Sequence, residues 1–150
     1  MTSDGETIFW LPATVGSTAM PSPAGTFRVT SVTRDPHYRW DPDVLKDVSR
    51  SPGVQMLPPG PNSPVGVVWV ALSKPRVGIH GTPDPELVGY TASHGCVRLT
   101  NWDALWVSRF ARSGLTVEFK GVAPPVAPAP KKSAAPRDSA ARDSTARDST

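Results

Sequence analysis

Thiols are almost missing from this chain. Of 150 residues only Cys96 is a cysteine. One cysteine excludes an internal disulfide and leaves the redox compartment open. Long apolar runs are missing as well, and none approaches the roughly 20 residues that span a bilayer. Met1-Thr2-Ser3-Asp4-Gly5-Glu6 lacks the basic start and apolar middle of a secretory leader, so no export signal is read in this chain. Clustered basic charge is absent too. Residues 1–120 carry eleven basic and ten acidic side chains, which argues against a nucleic-acid reader.

Aromatic residues vanish after 120, where Pro and Ala dominate and Arg-Asp-Ser recurs at 137, 142 and 147. Five Lys or Arg against three Asp give residues 121–150 a charge of +2, out of +3 for the whole chain. With Val122 and Val126 as its only branched apolar side chains, this segment buries too little surface to offset the cost of ordering its backbone. It reads as a semi-extended spacer over 124–130 and a disordered charged tail from 131. The alternative is a weak tether to anionic polymer. Residues 1–120 then form one modest domain.

Within that domain strand and turn signals prevail. Thr7 to Val15 is rich in β-formers and ends at Gly16, and Thr26 to Val32 alternates apolar with polar. Seven prolines make 33–64 loop-like. Val65 to Leu72 is an apolar run of strand length, and Arg76 to Ile79 is a short strand delivering His80 to its end. A brief helical turn is expected from Asp84, with Pro85 at its first position. The one main helix spans about 101–112, capped by Thr100 with Asp103 three residues on. Its apolar stripe, Trp102, Leu105, Trp106 and Phe110, reads as core packing. Leu115 to Phe119 closes a mainly β domain.

The chemistry concentrates in Ser93-His94-Gly95-Cys96-Val97-Arg98 and in Gly78-Ile79-His80-Gly81-Thr82, sixteen positions upstream of the cysteine. A lone cysteine is ordinarily a small buried hydrophobe. Here its neighbours are His, Gly and Arg, and nearby cationic groups and backbone N–H groups are expected to lower a thiol's pKa toward neutrality. Two histidines offer a base. The Ser93-to-Cys96 turn offers backbone donors for an oxyanion, and Gly95 permits close approach of a substrate. Arg98 either grips a substrate carboxylate or pins the turn, and Ser93 bonds within the turn. His37 lacks such context and reads as a surface residue. A zinc site on His80, His94 and Cys96 would lack the tight ligand pairs of common zinc motifs. A redox-sensing cysteine would lack a second thiol to resolve it.

Together with Pro21-Ser22-Pro23-Ala24-Gly25-Thr26-Phe27 and Asn62-Ser63-Pro64-Val65-Gly66, these motifs resemble the L,D-transpeptidase catalytic domain of the YkuD type, over about residues 8–119. The resemblance implies a mixed β-sandwich or barrel-like catalytic fold, with one or two further strands before residue 8, so that the chain starts inside the domain. It implies an acyltransferase of bacterial peptidoglycan that needs no cofactor or metal. Cys96 is then the nucleophile, His80 the base oriented by the Gly81 carbonyl (Asp84 being the competing orienter), and His94 and Gly95 parts of the oxyanion turn. Peptide stems are the implied substrates, carbapenems the implied acylating inhibitors, and the periplasm or cell wall the implied location. An L,D-carboxypeptidase and a truncated, non-catalytic wall-binding domain remain as alternatives.

Overall fold

In the computed structural model, which describes residues 2–3, 6–7, 9–41 and 53–120, the domain is built on one curled five-stranded sheet. Two short strands, β1 (Thr2–Ser3) and β2 (Glu6–Thr7), pair at the start. The main sheet uses β3 (Gly25–Arg34), β6 (Val68–Leu72), β7 (Gly78–His80), β8 (Val97–Arg98) and β9 (Thr116–Phe119), in the order β8-β7-β6-β3-β9. All its pairs are antiparallel except β7 with β8. A parallel neighbour requires a crossover. Here residues 81–96 make it, through a 3-10 turn at Pro85–Leu87 with Asp84 at its N-cap. The architecture is a half-barrel, mostly β, with a single α-helix among the described residues.

Alternation sets the core. Val68, Val70 and Leu72 project from β6 to one face, where they meet Val29, Val77, Leu99 and Ala104. Each such Val or Leu, fully buried, contributes roughly 1.5–3 kcal/mol. The helix α1 (Asn101–Val107) packs on β6 and β7 through small side chains, with Ala104 buried and Val107 and Ala111 against the core. Thr100 caps it, accepting from the Asp103 N–H at 3.1 Å and donating to the Asp103 carboxylate at 2.8 Å.

Several expectations need correction. The stripe Trp102, Leu105, Trp106 and Phe110 is not core: Trp102 is 65% exposed, and the others are exposed too. Trp106 and Phe110 pack on Phe9, at centroid distances of 3.8 and 5.9 Å. Regular helix ends at Val107 rather than near 112, and turns continue it to Phe110. Thr7 to Val15 is no continuous strand: Thr7 ends β2, and Thr14 pairs at an isolated bridge with Arg98, followed by one between Gly16 and Ser93. Residues 33–64 are not wholly loop. β3 runs on to Arg34, and β4 (Tyr38–Trp40) pairs with β5 (Gln55–Leu57) as a hairpin. Residues 42–52, between β4 and β5, and the spacer and tail expected over 121–150 lie outside the described residues.

Candidate active site

Register assembles the site. His80 lies opposite Trp69 across β6–β7 and beside Arg98 across β7–β8, while Ile79 lies beside Val97. Paired residues of adjacent strands share a face. Trp69, Gly78, His80 and Arg98 therefore project from one side of the sheet, opposite the Val70–Ile79 side. Cys96, two residues before Arg98, enters on that same side next to Gly78.

His80 is 5% exposed. Its Nδ1 lies 2.6 Å from the Gly81 carbonyl oxygen. A carbonyl only accepts, so Nδ1 carries the proton and Nε2 keeps its lone pair. Burial lowers the His80 pKa from 6.5 to about 4, the Gly81 hydrogen bond opposes this, and Arg98 adds to the depression. The ring is thus a neutral base with a fixed tautomer. Gly81 itself is locked by α1. A Cβ at Gly81 or at Gly66 would run into Asn101 Oδ1, which accepts from the Val67 N–H at 3.2 Å. Asn101 Nδ2 donates to the Pro61 carbonyl at 3.2 Å.

A stability consequence follows. Folding holds His80 neutral, whereas the unfolded chain takes up its proton near 6.5. The full contribution is present above that value and is lost as pH falls toward 4. The difference of some 2.5 units corresponds to about 3 kcal/mol. Urea unfolding of wild type should show this loss between pH 6.5 and 4, and His80→Gln should flatten it. An unchanged slope in the variant would assign the loss to other groups.

The Cys96 thiol donates to the Arg76 carbonyl at 3.5 Å. Its pKa is raised by burial, against the pull of the Gly78 N–H and of Arg98. The expectation of a thiol lowered toward neutrality is therefore corrected, because desolvation of the thiolate outweighs both neighbours. With the thiol pKa raised and the imidazole pKa lowered, both Cys96 and His80 rest neutral.

The turn before Cys96 is braced on all sides. Ser93 Oγ donates to the Cys96 carbonyl and accepts from the Gly95 N–H at 3.1 Å. Ser22 Oγ donates to the Gly95 carbonyl at 2.9 Å, and the Ser93 N–H donates to Val15 at 2.9 Å. Gly95, at φ 108°, takes a conformation that side chains avoid. With its N–H on Ser93, Gly95 serves the turn. The Cys96 N–H is occupied by no bond among the described residues. His94 is exposed, as is His37. Arg98 exchanges both backbone hydrogen bonds with Thr14, at 2.8 and 2.9 Å. Its side chain lines a cleft of about 20 Å³ with Thr14, Thr82, Asp84 and Thr91, and its Nε is buried without a partner among the described residues. A groove of about 330 Å³ is lined by 57–64 and includes neither His80 nor Cys96.

Sequence reasoning missed Tyr38. Burial raises the pKa of this β4 phenol, and next in size come the charges of Cys96 and Arg98, which oppose each other. The β4 strand thus brings Tyr38 within electrostatic reach of Cys96. Its alternation over three residues, flanked by prolines, was too short to signal a strand. Among the described residues no three His, Cys, Asp or Glu side chains gather as a metal site.

The sequence profile of the L,D-transpeptidase catalytic domain, YkuD, matches residues 1–120. The chain belongs to this family. YkuD of Bacillus licheniformis is 41% identical over 59 residues, which are 39% of this chain and 36% of that protein. The aligned part is thus about a third of this relative's length. An L,D-transpeptidase from Mycobacterium smegmatis superposes with a TM-score of 0.60 at 25% identity, covering 79% of this chain and 51% of that one. L,D-transpeptidase 3 from Mycobacterium tuberculosis, solved with a faropenem-derived adduct, shares the fold at a TM-score of 0.55 and 24% identity, over 72% of this chain and 43% of its own. The L,D-transpeptidase family is a cell-wall enzyme family. No described helix is long and apolar enough to cross a membrane.

Proposed function

We propose that this L,D-transpeptidase domain transfers acyl groups between peptidoglycan peptide stems through Cys96. The observation that supports the reading is His80, its tautomer fixed by Gly81, paired across β7–β8 with Arg98, two residues after a Cys96 whose thiol bonds the Arg76 carbonyl just before β7. His80 Nε2 takes the thiol proton as sulfur attacks the carbonyl of the third residue of a tetrapeptide stem. The C–N bond to the terminal D-alanine breaks, its amine leaves with the proton from His80, and a thioester remains. A stem amine then attacks the thioester, its proton passes to His80, and the thiol is restored at Cys96. The Cys96 N–H is the oxyanion donor we favour, with the 93–96 turn holding it in place and Arg98 completing the positive side of the cleft. The reaction belongs in the periplasm or cell wall and uses no cofactor.

The test is turnover of a purified tetrapeptide-stem disaccharide, followed by mass spectrometry. Release of D-alanine together with a cross-linked dimer is the expected result. Release without a dimer, in the presence of excess acceptor, would make the domain an L,D-carboxypeptidase. Binding to wall sacculi without release would leave a non-catalytic wall-binding domain.

A further inference from the structure

We infer that Trp69 is a positioning residue for the His80 base, the indole serving as the wall that fixes the imidazole plane. This rests on the reading of His80 as the base that serves Cys96. Three observations converge on it. Trp69 and His80 are a direct cross-strand pair. Their rings stack, with centroids 5.4 Å apart and planes 25° from parallel, within the range of an offset stack. Gly78 leaves room for this. A Cβ there would stand 2.7 and 2.9 Å from two atoms of the indole, so the ring lies across the bare backbone of β7 on its way to His80.

The consequence is mechanical and electrostatic. The Gly81 carbonyl holds one edge of the imidazole, at Nδ1. A single hydrogen bond leaves the ring free to roll about that contact, and a face-on aromatic partner removes the freedom. When His80 takes the Cys96 proton it becomes an imidazolium, and the indole face is the surface that best accommodates a cation. The charged neighbour on the other side of β7 is Arg98, which disfavours that imidazolium. Trp69 thus opposes Arg98 at the moment of proton transfer. It touches neither substrate nor thiol in this account and acts through His80.

The experiment compares wild type, Trp69→Phe and Trp69→Leu by two rates. One is acylation by a carbapenem at neutral pH, which needs the base. The other is alkylation of Cys96 by iodoacetamide at high pH, where the thiol ionises unaided. Trp69→Leu should slow acylation about tenfold and leave alkylation unchanged. Trp69→Phe, which keeps an aromatic face, should restore most of the acylation rate. NMR of the wild-type domain adds a reading that depends on no variant, because the indole ring current should move the His80 ring protons upfield. Wild type that takes no adduct overturns both this inference and the proposed function. Wild type that takes one, with Trp69→Leu reacting equally fast, overturns this inference alone. So would Phe proving as slow as Leu, alkylation slowing in step with acylation, or His80 protons at their ordinary positions.

Discussion

Wild-type protein incubated with a carbapenem is expected to gain the mass of one intact inhibitor, and Cys96→Ala is expected to gain nothing. A β-lactam presents a strained amide whose carbonyl is attacked as a stem carbonyl would be. Ring opening expels no atoms, so the adduct mass equals the inhibitor mass. The leaving amine stays tethered and the acyl group persists for intact-mass measurement. The chain has no second thiol to substitute for Cys96. The contrast should be complete rather than partial, since a methyl group cannot form the covalent intermediate. Cys96→Ser is the sharper control. Its hydroxyl fills nearly the same space on the same braced turn, yet is far less acidic than a thiol already raised by burial. It should fold as wild type and remain unmodified. An equal adduct on Cys96→Ala would remove Cys96 from the mechanism and assign the acylation to a hydroxyl or amine elsewhere.

The parts of this site that were legible in the sequence are those set by local chemistry. Gly-Ile-His-Gly-Thr announces a short strand ending at a histidine, and β7 ends at His80. Thr26 to Val32 alternates and lies within β3. Thr100 and Asp103 mark a helix start, and Thr100 caps α1. What was not legible depends on which of two faces the fold covers. Around α1 the sequence offers two stripes at helical spacing, the aromatic set and the small set Ala104, Val107 and Ala111. Size favours the first as core, but close approach to β6 and β7 selects the second. The Trp69–His80 stack was hidden for a related reason. A Trp inside an apolar run looks like core until register places it opposite a histidine and a glycine makes room for its ring. The same holds for Asn101, whose wedge between Gly66 and Gly81 joins motifs fifteen residues apart that nothing local connects. The raised thiol pKa belongs here too, because flanking residue types announce charge while burial is a property of the assembled fold.

His80→Ala should lower the rate of carbapenem acylation by roughly 10²–10⁴-fold, the range for loss of a positioned proton-transfer group. His94→Ala should cost much less, because His94 is exposed and the turn around it is braced by Ser93 and Ser22 rather than by its ring. The pH profile separates a lost base from a damaged fold. With a pKa of about 4, His80 is neutral and competent throughout the ordinary working range. Wild-type acylation should therefore stay level as pH is lowered and fall only on approaching about 4. In His80→Ala that limb should disappear, leaving a rate that climbs with pH as the buried thiol ionises unaided. Since ionisation is raised above the ordinary value for cysteine, the residual activity should rise steeply only on the alkaline side, and the gap between variant and wild type should close there. A gap that stayed constant at every pH would point to a misplaced thiol instead of a missing base. A larger loss in His94→Ala than in His80→Ala would require the two histidines to exchange roles.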